Sequence, residues 1–269
     1  MTEPFVSLKK LREESEQLRQ IEKNDNELGE RKNPLWINYG ETSASYDQDF
    51  GKLVPQGSLL KHVISKAQEY RNREIPYCVL DLFSPLESWL KRIQRRNEDS
   101  TLPIDGGVAS TLSDPRQDPN KIKADERKNL YCIEGDILKP EPKQRLREFM
   151  DKLGITDIGF GMVVARPYGG AKIGKGEEEY IPLYYSFLRQ VWRITSKHDG
   201  EIFCPVPTSL SNSDLFHNWV HLMRTEVGAS VELSKLETSM KITRHLNSKG
   251  KLPGFSELGM SPEPVRQMY

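Results

Sequence analysis

The feature that most constrains the fold is a short apolar run, Tyr77–Leu82, which contains a single acid and leads into a turn. Four further short apolar runs follow it, and amphipathic segments separate most of them. Strands that alternate with helices are typical of βαβ units around a parallel sheet. The predicted strands are Tyr77–Leu82, Thr101–Asp105, Leu130–Glu134, Phe160–Ala165 and Glu201–Pro205.

Helices are predicted between these runs because apolar residues recur at three- and four-residue spacing. Two runs of alternating polarity near the end, Ser230–Leu236 and Ser239–His245, predict an antiparallel pair of strands. The chain is therefore expected to be an α/β protein with a doubly wound, mainly parallel seven-stranded sheet. The predicted helices are Ser58–Arg71, Pro85–Arg96, Arg145–Leu153, Tyr180–Thr195 and Asp214–Val227.

The two ends of the chain are expected to lie outside this sheet domain, which is assigned to residues 58–248. Residues 5–30 predict a polar helix, and such a helix either lies on the domain surface or pairs with a protein partner. Residues 33–57 are rich in Gly, Ser, Pro and Asp and predict an irregular connector, so residues 1–57 form an N-terminal helical extension. Residues 249–269 predict a loose C-terminal tail.

The charge balance disfavours nucleic acid as a partner. The chain has 39 Lys and Arg residues and 39 Asp and Glu residues, so no general positive field attracts phosphates. No run of 18 apolar residues occurs, and the first residues lack the pattern of a secretory signal, so neither a membrane span nor export is expected. A soluble, cytoplasmic protein is expected.

No metal site is predicted. Cys78, Cys132 and Cys204 each lie in an apolar run, which favours buried free thiols over a disulfide or metal ligands. His217 and His221 are one helical turn apart, but no Glu follows the first and no third ligand is apparent. The Gly-x-Ser-x-Gly elbow of serine hydrolases is also missing.

Taken in order, the segments resemble the class I S-adenosylmethionine-dependent methyltransferases over residues 45–246. Tyr46–Gly51 and a helix precede the first strand, as in that family. Val79-Leu-Asp-Leu82 is similar to the start of the family's first motif, and Tyr131–Ile137 to its third-strand motif. Phe160–Tyr168 is similar to its fourth strand and functional loop, and the paired strands near the end resemble its reversed strand.

The resemblance implies S-adenosylmethionine as the cofactor, bound across the carboxyl ends of the strands. A carboxylate after the second strand then accepts hydrogen bonds from the ribose hydroxyls. The resemblance identifies no catalytic base. The implied contacts are Asp81, Phe83 and Ser84 to the methionine part, Asp105 to the ribose, Asp136 and Ile137 to the adenine, and Arg166, Pro167 and Tyr168 to the substrate.

Two loops depart from the family's pattern. The first usually carries three alternating glycines, which let the backbone approach the cofactor, but here Phe83 adds bulk and Pro85 fixes φ. The fourth often carries an Asn or Asp that orients an amine. Arg166 stands there instead, and a guanidinium cannot accept a proton but can bind a carboxylate or phosphate.

Two functions therefore stay open. One is methyl transfer to an unidentified small-molecule or protein acceptor. The other is a catalytically inactive methyltransferase-like domain, a pseudoenzyme that binds a protein partner, with the N-terminal helix as a docking element. A nicotinamide-dependent enzyme is less favoured, because the first loop also lacks the glycine fingerprint of that class.

Overall fold

The fold is described from a computed structural model, which describes residues 43–82, 89–95, 103–111, 125–134, 140–165, 177–207, 210–211 and 213–253. The polar helix predicted at residues 5–30 lies outside these ranges. The helices are α1 Ser43–Phe50, α2 Leu59–Asn72, α3 Trp89–Arg95, α4 Pro140–Lys152, α5 Glu177–Ile194 and α6 Asp214–Leu222. The strands are β1 Cys78–Leu82, β2 Gly106–Thr111, β3 Leu130–Glu134, β4 Met162–Ala165, β5 Gly200–Pro205, β6 Ser230–Leu233 and β7 Ser239–Arg244.

The described strands form one seven-stranded sheet in the order β3-β2-β1-β4-β5-β7-β6. Strands β1 to β5 pair in parallel, and β7 pairs antiparallel with both β5 and β6. Parallel neighbours need long crossover connections, and α3, α4 and α5 lie in the described connections from β1 to β2, β3 to β4 and β4 to β5. The predicted mainly parallel α/β sheet and its final antiparallel pair are confirmed.

Helices cover both faces of the sheet, which explains the continuous apolar runs. All five residues of β1 are buried. Val79 packs in a cluster with side chains of α1, α2 and α3, whereas its neighbour Leu80 packs in a cluster with side chains of α4, α5 and α6. Successive side chains of a strand point to opposite faces, so a strand covered on both sides is apolar at nearly every position.

Helix α1 corrects the prediction that residues 33–57 form an irregular connector. Tyr46 and Phe50 are one helical turn apart, and both are buried against the face of the sheet that α2 covers. Their spacing is the signal of an amphipathic helix, which the flanking Gly, Ser and Pro residues obscured. The structured domain therefore includes residues before Ser58.

Helix α1 also supplies the cap of α2. Ser58 occupies the N-cap position, but its side chain makes no capping hydrogen bond. Instead the backbone N–H of Leu59 donates to Asp47 Oδ1 at 2.6 Å. A carboxylate at a helix N-terminus satisfies an unpaired N–H and interacts favourably with the helix dipole.

The second strand also differs from its prediction. Residues Thr101–Asp105 were predicted as the strand, whereas β2 is Gly106–Thr111 and follows Asp105. The strand begins with two glycines because its neighbours are close: a Cβ on Gly106 would meet a methyl group of Leu153 and lie 3.0 Å from the backbone carbonyl oxygen of Asn129. Glycine in a strand often marks such a close approach, so β2 lacks the bulky apolar run by which strands are recognised.

The other predicted elements are present in the predicted order, although α4 begins at Pro140 rather than Arg145. The start of the helix predicted from Pro85 lies outside the described residues. Trp192 Nε1 donates to the carbonyl oxygen of Lys249 at 3.2 Å, which anchors the start of the predicted tail. In the described part of the chain, no helix combines the length and the apolar character needed to cross a membrane.

We predict that replacing Gly159 by Ala destabilises the fold much more than replacing Gly154. Both glycines have positive φ, 85° and 67°, so each substitution imposes about 1–2 kcal/mol of backbone strain. A Cβ at Gly159 would also stand 2.8 Å from the carbonyl oxygen of Ile194, whereas Gly154 faces open space. Urea denaturation should show that Gly159→Ala lowers the free energy of unfolding by about 1–3 kcal/mol more than Gly154→Ala does. Equal losses for the two variants would contradict the close packing around Gly159.

Candidate functional site

The carboxyl ends of four neighbouring parallel strands meet at one edge of the sheet, here called the carboxyl edge. Leu82 of β1 lies opposite Ser110 of β2 and Ala165 of β4, and Thr111 of β2 lies opposite Glu134 of β3. The strand order reverses between β1 and β4, because β2 and β3 extend to one side and β5 to the other. In open α/β sheets ligands bind in the crevice outside such a reversal.

Three segments with predicted site residues follow these strand ends in the sequence. One follows Leu82 at the end of β1, one follows Glu134 at the end of β3, and one follows Ala165 at the end of β4. The chain therefore enters all three segments from the carboxyl edge. Their predicted site residues lie outside the described residues and are Phe83, Ser84, Asp136, Ile137, Arg166, Pro167 and Tyr168.

Asp81, near the end of β1, has a buried carboxylate that bonds to the fold itself. Its side chain is fully buried, and the Tyr46 hydroxyl donates to its two oxygens at 2.9 Å and 3.1 Å. The ring of Tyr46 stacks on Trp89 with 4.9 Å between the ring centroids. Burying a carboxylate is unfavourable unless hydrogen bonds replace its hydration. Asp81 therefore anchors α1 to β1, and the burial of its side chain removes it from direct contact with solvent.

Asp105 lies at the opposite edge, here called the amino edge, away from the edge at which the ribose contact was predicted. It comes immediately before β2, and its Oδ2 accepts a hydrogen bond from the backbone N–H of Tyr77 at 2.8 Å, just before β1. Asn129 Nδ2 donates to its carbonyl oxygen at 3.0 Å. These bonds tie together the entries of three strands. The acid that follows β2 in the sequence is Asp114, beyond the described residues.

A second buried polar link, between α2 and β5, was not found by sequence reasoning. His62 Nε2 lies 2.6 Å from Glu201 Oε2, and the two side chains are only 6% and 4% exposed. Gln56 Oε1 lies 3.2 Å from the other ring nitrogen of His62. Glu201 follows Gly200 at the start of a buried strand, and an acid at such a position is the signal that would have identified the pair.

The histidines of α6 lie on the surface. His217 Nε2 is 3.1 Å from Glu237 Oε2, in the turn between β6 and β7, and His221 is exposed. Among the described residues, no group of three or more His, Cys, Asp or Glu side chains is placed to hold a metal ion. His217 and Glu237 thus make a surface contact between α6 and the β6–β7 turn.

The three cysteines are free thiols. Cys78 and Cys204 are buried, as expected from the apolar runs, and Cys132 is half-buried. Burial raises the pKa of the Cys204 thiol to about 12, although a hydrogen bond with Tyr184 lowers it in part. A thiol with such a pKa remains protonated at neutral pH and packs as a small apolar side chain.

The similarity to known proteins rests on the fold. No family model matches the chain, and no curated protein matches it. The sheet order β3-β2-β1-β4-β5-β7-β6 is the one that methyltransferases have.

We predict that Tyr46→Phe lowers the free energy of unfolding by about 2 kcal/mol, because it removes a hydrogen bond to a buried carboxylate. A double-mutant cycle with Asp81→Asn isolates this bond. The loss caused by Tyr46→Phe should be clearly smaller in the Asp81→Asn background, since a neutral amide needs the hydroxyl less than a carboxylate does. Urea denaturation measures all four free energies, and additive effects would show that the two groups are not coupled.

Proposed function

We propose that this chain is a methyltransferase-like domain that binds S-adenosylmethionine at the carboxyl edge and transfers its methyl group to a small molecule or a protein side chain. The observation that carries the proposal is the strand order, with β7 reversed between β5 and β6. That order reverses beside β1, where open α/β sheets bind ligands. Chain segments with acidic, basic and aromatic residues follow the strands on both sides of the reversal.

The residues that follow β1 and β3 suit the cofactor. Phe83 and Ser84 come directly after β1, where their backbone groups would hold the methionine part. Asp136 and Ile137 come shortly after β3, where a carboxylate and an apolar side chain would hold the adenosine part. The cofactor supplies a methyl group activated by its sulfonium charge.

The fit is partial, because two acids named by the resemblance do not suit direct contact with a cofactor. The carboxylate of Asp81 is buried and accepts from Tyr46, so its role is to position the end of β1. Asp105 lies at the amino edge, where its carboxylate accepts from the N–H of Tyr77. The proposed contacts are therefore those from the segments after β1, β3 and β4.

The residues after β4 suit the acceptor. Arg166 would bind a carboxylate or phosphate of the acceptor through its two-pronged guanidinium. Pro167 would restrict the backbone, and Tyr168 would stack on a flat group. Since methyl transfer depends mainly on alignment of the acceptor with the methyl group, these residues would act by orientation.

A second candidate is a catalytically inactive domain that binds a protein partner, and two observations favour it. The first loop has no glycine between Asp81 and Trp89, so the backbone cannot easily approach a ligand. The carboxylate that usually serves this loop is already engaged by Tyr46. In this case the polar N-terminal segment, residues 5–30, would dock on the partner.

Isothermal titration of the full chain with S-adenosylmethionine and S-adenosylhomocysteine tests the first candidate. We expect micromolar binding that falls at least about tenfold in Asp136→Ala, because hydrogen bonds to a charged group are worth about 1.5–3 kcal/mol. Asp157→Ala is the matched control, since this exposed acid precedes β4 at the amino edge and its loss should leave binding unchanged.

Lack of binding at millimolar ligand would exclude the cofactor and leave the partner-binding candidate. Equal losses in Asp136→Ala and Asp157→Ala would place the ligand away from the carboxyl edge. A third variant, Phe83→Gly, should tighten binding if the bulk of the first loop is what limits it.

A further inference from the structure

Three polar side chains form a hydrogen-bonded series at the amino edge, remote from the crevice described above. Ser230 Oγ lies 2.8 Å from His245 Nε2, and His245 Nδ1 lies 2.9 Å from Asp199 Oδ1. Asp199 immediately precedes β5, His245 immediately follows β7, and Ser230 opens β6. Because β7 runs antiparallel to both neighbours, its end meets their beginnings at the same edge.

Backbone hydrogen bonds hold Asp199 and His245 in place. Asp199 adopts a left-handed conformation, with φ of 65°, and its N–H donates to the carbonyl oxygen of Arg244 at 3.1 Å. The N–H of His245 donates to Ser248 Oγ at 3.0 Å, and that hydroxyl donates to the carbonyl oxygen of Gly228 at 2.9 Å.

The charges fix the direction of the hydrogen bonds. Partial burial raises the pKa of the Asp199 carboxyl, but the hydrogen bonds from His245 and Arg73 outweigh it, so the pKa lies below its ordinary value. Arg73 Nη1 lies 3.1 Å from Asp199 Oδ2. An ionised carboxylate only accepts, so Nδ1 of His245 carries the proton. In a neutral imidazole Nε2 is then the acceptor, and the Ser230 hydroxyl donates to it.

We propose that Ser230, His245 and Asp199 form a nucleophilic catalytic site that hydrolyses carboxylic esters. The order of nucleophile, base and orienting acid is the one that defines serine hydrolysis on unrelated folds, where geometry rather than sequence position identifies it. The Gly-x-Ser-x-Gly elbow is only one way to present the serine. Here the edge strand β6 presents it.

The reaction proceeds in two balanced stages. Ser230 Oγ forms a bond to the ester carbonyl carbon while its proton passes to His245 Nε2, and the alcohol then leaves with that proton. Water next gives a proton to Nε2 and bonds to the same carbon, and Oγ leaves and recovers the proton. The products are an alcohol and a carboxylic acid, and the only reactants are ester and water.

The backbone N–H of Val231 is the donor we assign to the oxyanion. The N–H of Ser234 donates to the carbonyl oxygen of Ser239 at 2.9 Å, so Val231, opposite Ile242, occupies a non-hydrogen-bonded position of the β6–β7 ladder. Its carbonyl oxygen, which accepts from Arg224 Nη2 at 2.5 Å, therefore points away from β7. The N–H and C=O of one strand residue point to the same side. The N–H that follows the nucleophile therefore faces the open edge, where a preorganised donor stabilises the developing negative charge.

The exposure of the three residues indicates the substrate class. Ser230 is exposed, and the side chains of His245 and Asp199 are each 41% exposed. An ester can therefore reach Ser230 from solvent without a deep pocket. This favours small or surface-presented esters over substrates that must be enclosed.

A fluorophosphonate probe and p-nitrophenyl acetate test the proposal on the full chain. We expect one phosphonyl adduct, mapped by peptide mass to Ser230, and its complete loss in Ser230→Ala. His245→Gln should slow both labelling and ester hydrolysis at least about tenfold, since a positioned base contributes about 10²–10⁴-fold. The control is Ser234→Ala, a serine of the same hairpin that contacts Thr238 and no histidine, and it should match the native chain.

A variant that should gain reactivity distinguishes loss of the site from loss of the folded state. Ser230→Cys should react with iodoacetamide at a lower pH than Ser234→Cys, because His245 favours the thiolate beside it. Native chain that remains unlabelled, labelling that persists in Ser230→Ala, or identical alkylation profiles for the two cysteine variants would each overturn the proposal and leave the series as a structural link between strands.

Discussion

The burial of β1 on both faces is the constraint on which the rest of the molecule depends. Each of its residues is buried, and its two neighbours β2 and β4 run parallel to it. A strand of this kind needs helices on both sides and crossovers that return the chain to the same edge. The carboxyl ends of β1 to β4 therefore meet at one edge of the sheet, beside the reversal of strand order.

Two buried polar pairs join the N-terminal helices to this sheet. Tyr46 of α1 bonds to Asp81 of β1, and His62 of α2 bonds to Glu201 of β5. Both pairs lie on the face of the sheet that contains the cluster of α1, α2 and α3. Apolar packing tolerates small shifts, whereas a buried carboxylate without its partner is strongly unfavourable. These two hydrogen-bonded pairs therefore fix the positions of α1 and α2 on the sheet.

The sequence predicted the elements whose signal is local. Strands β1, β3, β4 and β5 were recognised because each is a continuous apolar run. Strand β2 was missed because Gly106 and Gly107 replace bulky side chains where the neighbours are too close to allow them. Helix α1 was missed because Tyr46 and Phe50 are two apolar residues among turn-forming ones. The error in β2 moved Asp105 from one edge of the sheet to the other.

The contacts of Asp81 and of the Ser230–His245–Asp199 series could not be predicted in this way. The partner of Asp81 is 35 residues away in the sequence, and the partners of His245 are 15 and 46 residues away. Only the pairing of β5, β7 and β6 brings the latter together. Propensity and periodicity describe single segments, whereas these contacts depend on the register between segments.

The β6–β7 hairpin spans the sheet from rim to rim. Its turn lies at the carboxyl edge, with the ends of β1 to β5, whereas Ser230 and His245 lie at its other end, at the amino edge. An insertion in the turn would leave the pairing of β7 with β5 intact. A one-residue insertion within β7 would shift His245 out of register with Asp199 and turn its side chain to the opposite face of the sheet. The turn between β6 and β7 can therefore vary in length, whereas an insertion within either strand would displace Ser230 or His245.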